Sequence, residues 1–166
     1  MPLIDFSHKP TGWLRRLLKA PTYLYRARLG FLLGYRFVMI EHRGRMTGER
    51  HFTVVEVARH LPREWVCTSG TGPAADWYRN LRAGGLEALW VGSRRHRASV
   101  RFLEQTEAAS MMGAYERAHP RVAPKLYSMM GVSYGGTNEG RVEMMAKIPM
   151  VAFSPKDVHT SGAAFL

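Results

Sequence analysis

What most limits the fold of this chain is the rhythm of its apolar residues after residue 35: short extended runs, each cut off by a turn signal. Such runs fall at 35–43, 50–58, 64–69, 87–92, 96–103 and 147–153. The run at 96–103 alternates most cleanly, with Ala98, Val100 and Phe102 set against Ser99, Arg101 and Leu103. Helical spacing interrupts the runs twice, at 75–83 and at 105–119, where Pro120 ends the second stretch. Strands dominate and no repeating βαβ rhythm exists. The pattern therefore predicts an α+β, mainly β fold, a six-stranded antiparallel barrel with covering helices, and not a doubly wound parallel sheet. The segment 132–143 follows Gly131 and holds Gly135, Gly136 and Gly140, which reads as a long loop.

Charge narrows the partners. The 166 residues carry 24 Lys and Arg against 13 Asp and Glu, a formal net charge of +11. An excess of this size favours anionic partners: nucleic acid, an acidic membrane surface or a polyanionic small molecule. Much of it lies early, since no acidic residue occurs from Phe6 to Ile40 while Lys9, Arg15, Arg16, Lys19, Arg26, Arg28 and Arg36 are basic. Trp13, Leu14, Leu17 and Leu18 recur there at helical spacing. Residues 1–34 thus read as a basic amphipathic helical segment ahead of a barrel domain at 35–166. Residues 6–34 suit either an anionic bilayer surface or packing on the domain with a solvated basic face. No apolar run approaches the roughly 18 residues of a membrane span, and no secretory signal is evident. The expected location is cytoplasmic, with peripheral contact at the inner face of the membrane.

Three constellations carry candidate chemistry. The turn Arg43-Gly44-Arg45-Met46-Thr47-Gly48-Glu49-Arg50 combines backbone freedom with a hydroxyl and three guanidinium groups, a combination that can hold phosphate or simply keep a hairpin soluble. Ser69-Gly70-Thr71-Gly72-Pro73-Ala74-Ala75 superficially matches a dinucleotide fingerprint, but Pro73, a short following helix and the missing βαβ rhythm make that match false. In Asp76-Trp77-Tyr78-Arg79-Asn80-Leu81-Arg82, Trp77, Asn80 and Leu81 share one helical face, so Asn80 either ties loops together or reads a ligand edge. Cys67, the one cysteine, reads as a buried structural thiol, and the seven histidines form no ligand pattern, so no metal is expected. Seven of the ten methionines lie in the last third, where they suit a core or an accommodating pocket.

These pieces in this order, Gly44-Arg45-Met46-Thr47-Gly48, then Ser69-Gly70, then Trp77-Tyr78-x-Asn80-Leu81, then Ile148-Pro149-Met150-Val151, resemble the deazaflavin-dependent nitroreductase family. The likeness implies the split β-barrel shared with flavin reductases. It also implies an oxidoreductase that passes a hydride from reduced coenzyme F-420 to an apolar, electron-poor acceptor: a quinone, an enone or a nitroaromatic. That coenzyme carries a phosphodiester and an oligoglutamate tail, so it is itself a polyanion. By resemblance, Arg45, Met46 and Thr47 hold its phosphate side, and His51, Thr53 and Glu56 run alongside it. Cys67, Thr68, Ser69 and Gly70 back the ring system, and Asp76, Trp77, Tyr78, Arg79 and Asn80 close over it. Tyr127, Tyr134 and Ser69 are the catalytic candidates, whose hydroxyls would orient the acceptor or deliver a proton.

Two positions depart from the family pattern. Met46 stands where a cation is usual, so Arg43 or Arg50 is expected to compensate. Asp76 brings a carboxylate near an anionic coenzyme, which is awkward unless it caps the helix. Outside this reading stand an FMN reductase on the same barrel, a basic barrel binding nucleic acid, and a non-catalytic carrier of coenzyme or lipid. A homodimer is compatible with any of them.

Overall fold

In the computed structural model, residues 36–156 are described. The segment expected at 1–34 lies outside them. Seven strands, β1 (Phe37–Arg43), β2 (Arg50–Leu61), β3 (Glu64–Thr68), β4 (Leu86–Val91), β5 (Arg94–His96), β6 (Ala98–Phe102) and β7 (Met150–Pro155), alternate with helices α1 (Asp76–Arg82), α2 (Gln105–Ala118), α3 (Ala123–Met129) and α4 (Asn138–Lys147). All strand pairs are antiparallel, in the order β5-β4-β1-β2-β3-β7-β6. The two edge strands, β5 and β6, are separated in the chain by Arg97 alone, and β4 lies against β6, so the sheet rolls into a nearly closed barrel. The fold is thus the expected α+β barrel, with one strand more than the six predicted. The predicted run at 96–103 is divided at Arg97, and its first part pairs with β4 while the rest pairs with β7.

Alternation along the strands builds two cores. Val38 and Ile40 of β1, Val55 and Val57 of β2, Cys67 of β3, Leu89 of β4 and Val151 and Phe153 of β7 fill the interior, which Trp77 and Leu81 of α1 plug. On the opposite face Val66, Met150 and Ala152 meet Ala108, Ala109 and Met112 of α2, Tyr127 of α3, and Met144 and Met145 of α4. Met112, Met144, Met145 and Met150 are therefore core residues, whose flexible thioethers fill the space between helices and sheet.

The expected loop at 132–143 is half helix. Thr137 caps α4 by accepting from the Gly140 amide at 3.0 Å, and the buried Met144 and Met145 anchor it, outweighing the helix-weakening glycine. Ile148 belongs to the end of α4, so β7 starts at Met150 and not at residue 147. The short α3, with proline in its first turn, lies in a stretch to which the sequence pattern assigned no element.

Candidate functional site

Strand register and side-chain bonds put the arginine turn, the start of β4 and helix α1 at one end of the barrel. The turn joins β1 to β2 there, β4 begins there with Leu86 opposite His42, and Arg45 reaches Asp76 and Asn80 of α1. Asn80 ties these parts together. Its side-chain oxygen accepts from the Arg45 amide at 3.1 Å and from the Arg45 guanidinium at 2.9 Å, while its Nδ2 donates to His42 Nδ1 at 3.2 Å. With Nδ1 accepting, the His42 proton sits on Nε2 and points to Thr53 Oγ1 at 3.1 Å. Burial, reinforced by the neighbouring His51 and opposed by Asp76, pushes His42 down to about 4. The ring is therefore neutral at neutral pH, as its bonds require. Gly85 completes the junction: its amide donates to the Asn80 carbonyl, its carbonyl accepts from the Arg43 amide, and a Cβ there would stand 2.7 Å from the Arg43 oxygen. Only glycine fits.

The turn uses most of its own amides. Those of Gly44 and Gly48 bond within it, Arg45's goes to Asn80, and Glu49's goes to Thr47 Oγ1. Met46 and Thr47 keep their amides, and Thr47 its hydroxyl proton, for an outside partner. The arginines are engaged by carboxylates yet remain on the rim. Arg43 meets Glu87 at 2.8 Å, Arg45 meets Asp76 at 3.4 Å and Arg50 meets Glu41 at 3.3 Å. Asp76 stands in the first turn of α1, where its charge suits the helix dipole, and is a counter-ion to Arg45 with no side-chain cap bond. Each guanidinium has five N–H donors, so Arg43 and Arg50 retain some for an anion beside the fully exposed Met46.

The residues expected to surround a coenzyme fall in more than one place: Arg45, Met46, Thr47, Asp76 and Asn80 belong to this end, while Ser69 bonds Pro149 and Gly70 lies near Met130. His51 and Thr53 share the inward side of β2 with Val55, as strand alternation demands, whereas Glu56 faces outward and binds Arg36 at 2.9 Å. Cys67 is fully enclosed and burial pushes its thiol up, so only its backbone can face a ligand. Thr68 ends β3, Ser69 follows it, and Gly70 packs near Met130, which follows α3. Gly72 turns with φ of 82° against the Lys147 carbonyl, so the glycine pattern there secures a loop to α4, as the absence of any parallel strand pair also argues. Trp77 and Asn80 face the barrel while Tyr78 stacks edge-on between Trp77 and Phe102. Asp76 and Arg79 are exposed.

The three catalytic candidates share one property. The Ser69 hydroxyl donates to the Gly72 carbonyl at 2.7 Å. Tyr127 and Tyr134 both point at Glu116 Oε1, at 2.5 and 2.6 Å, while Arg141 holds Oε2 at 2.7 Å. Burial works against the Glu116 charge, but the bonds from Arg141, Tyr127 and Tyr134 outweigh it and keep its carboxyl below the usual range. Burial and the same carboxylate push Tyr127 up, and Tyr134 likewise. An ionised carboxylate only accepts, so both phenols must donate to it. None of the three hydroxyl protons is available to a substrate.

Sequence reasoning passed over Glu116, whose partners Tyr127, Tyr134 and Arg141 lie 11, 18 and 25 residues away, and with it Arg141. It also passed over Glu41, an almost fully buried carboxylate on the outer face of β1. Arg95, Trp90 and Arg50 hold Glu41 ionised against the effect of burial. Among the described residues no cluster of metal-ligating side chains occurs, and no helix is long and apolar enough to cross a membrane.

No family model and no curated protein matches the chain. Among solved structures, a chain described as a domain-swapped dimer is similar at 15% identity and a TM-score of 0.50, covering 88% of this chain and 100% of its own. An F-420-H2 dependent reductase (FDR-A) matches at 15% identity and a TM-score of 0.48, over 72% of this chain and 94% of that one. A Clostridium acetobutylicum protein related to general stress protein 26 of B. subtilis, of the pyridoxinephosphate oxidase family, matches at 9% identity and a TM-score of 0.44, over 81% and 84%. Identity at this level speaks to fold alone, and what the chain shares with the first of these structures is its barrel with covering helices.

Proposed function

We propose that the protein is an oxidoreductase that binds the deazaflavin coenzyme F-420 at the Arg45–Asn80 end of the barrel and reduces an apolar, electron-poor acceptor such as a quinone, an enone or a nitroaromatic. The observation that carries this reading is the joining of Arg45 to Asn80 at 2.9 Å, beside Trp77 on the same helix. The two halves of the sequence resemblance, separated by about 30 residues, thereby form one surface. The donor set suits a polyanion: the free amides of Met46 and Thr47, the Thr47 hydroxyl and the cationic rim of Arg43, Arg45 and Arg50.

When bound, the reduced coenzyme supplies the hydride. The protein's own part is placement and exclusion of water. Trp77 and Tyr78 offer aromatic edges to a flat ring, and the backbone from Cys67 to Gly70 offers a wall where the Ser69 amide and hydroxyl are already bonded. Because the protons of Ser69, Tyr127 and Tyr134 are committed, none of these residues protonates the acceptor, and the proton that accompanies the hydride comes from solvent. Oxidation of reduced F-420 followed against a panel of quinones, enones and nitro compounds tests the reading. Turnover with at least one class is expected, and turnover with reduced FMN alone would replace the coenzyme.

A further inference from the structure

Beside the Tyr127–Glu116–Tyr134 cluster lies an open cleft of about 610 Å³, a size suited to a small organic ligand. Pro120, Ala123, Pro124 and Val132 supply apolar walls, and Ser128 and Ser133 stand at its exposed rim. The polar groups inside have an unusual polarity. Both phenol protons go to Glu116 Oε1 at 2.5 and 2.6 Å, and Arg141 occupies the other carboxylate oxygen at 2.7 and 3.1 Å. What remains at this cluster is lone pairs. Tyr134 has already accepted one bond, from Arg141 at 3.1 Å, whereas Tyr127 has accepted none. A ligand that only accepts, such as a carbonyl or nitro group, would meet oxygen against oxygen there; a ligand O–H would find a vacant acceptor.

We infer that this cleft is a binding site for an apolar aromatic molecule carrying a phenolic O–H, which donates to the Tyr127 hydroxyl oxygen. The hydrogen-bond accounting at the Tyr127 oxygen, inward of the rim serines, sets this class. Quinones and nitroaromatics lack the donor; phenols have it, together with a flat apolar body that matches the proline and valine walls. The inference does not lean on the coenzyme reading, and its test contains no coenzyme, so the two fail separately.

The test uses two ligands of the same shape, 2-naphthol and 2-methoxynaphthalene, titrated calorimetrically into the full chain. The naphthol is expected to bind about ten-fold more tightly, as one hydrogen bond to an otherwise unpaired acceptor would give. In Tyr127→Phe, which keeps the ring, that preference should fall to about two-fold or less while the methoxy compound binds as before; Tyr134→Phe should retain most of it. Equal affinities in the wild type, absence of binding by either ligand, or an unchanged preference in folded Tyr127→Phe would overturn the proposal. The wild-type pair decides the matter even if the variant does not fold.

Discussion

Two polar clusters satisfy the same rule, that buried polar groups find partners, by opposite electrostatic means. At the barrel end the hub is a neutral imidazole: His42 passes one hydrogen bond from Asn80 to Thr53, and the charges of Arg43, Arg45 and Arg50 stay on the rim. Among the helices the hub is an ionised carboxylate, and Arg141, only 15% exposed, neutralises Glu116 from within. The first arrangement leaves cations turned outward, toward an anion. The second consumes its charge and its protons, and shows only lone pairs. The contrast explains why one end suits a polyanionic coenzyme and the other an uncharged donor.

Breaking the first hub should cost most. Asn80→Ala would leave the Arg45 amide and His42 Nδ1 without their partner and open a small void, destabilising the fold by about 3 to 4 kcal/mol, read by chemical denaturation. A loss below about 1 kcal/mol would mean that the junction is not held by Asn80.

Acid should separate the two hubs next. His42 titrates near 4 when folded, against an ordinary 6.5, so the unfolded chain takes up its proton first as pH falls. The stability linked to this residue is complete above pH 6.5, declines below it and is gone below about pH 4, amounting to about 3 kcal/mol. Glu116 and Glu41, held below the usual carboxylate range, lose their share only at lower pH. His42→Gln should therefore flatten the stability profile between pH 6.5 and 4, with the steeper acid limb kept. A profile as steep as that of the wild type would assign the upper limb elsewhere.

The smallest effect belongs to the rim. Met46→Lys adds a fully exposed cation to the turn and should tighten binding of the anionic coenzyme by about 0.5 to 1 kcal/mol at low salt, an advantage that shrinks at high salt. No change at low salt would place the anion away from Met46.

Local pattern made the strands legible, because turn signals punctuate the apolar runs and period-2 alternation is clear in β6. The arginine turn and the Trp77–Asn80 face were legible for the same reason: each is contiguous in sequence. The breaks came where long-range packing decided the outcome. Arg97 divides a run only because the sheet closes there, and α4 forms across Gly140 because Met144 and Met145 are wanted under the sheet. Glu116, Arg141 and Glu41 were invisible for a related reason. A lone carboxylate in sequence carries no sign that the fold will surround it with donors.

The central claim is that the Arg45–Asn80 surface holds a deazaflavin coenzyme. Calorimetric titration of the wild type and Arg45→Ala with F-420 and with FMN tests it most directly. The account predicts heat with F-420, tighter binding of F-420 than of FMN, and an affinity about ten-fold weaker in Arg45→Ala, as loss of one charged hydrogen bond would give. Silence with F-420, or tighter binding of FMN, would contradict it.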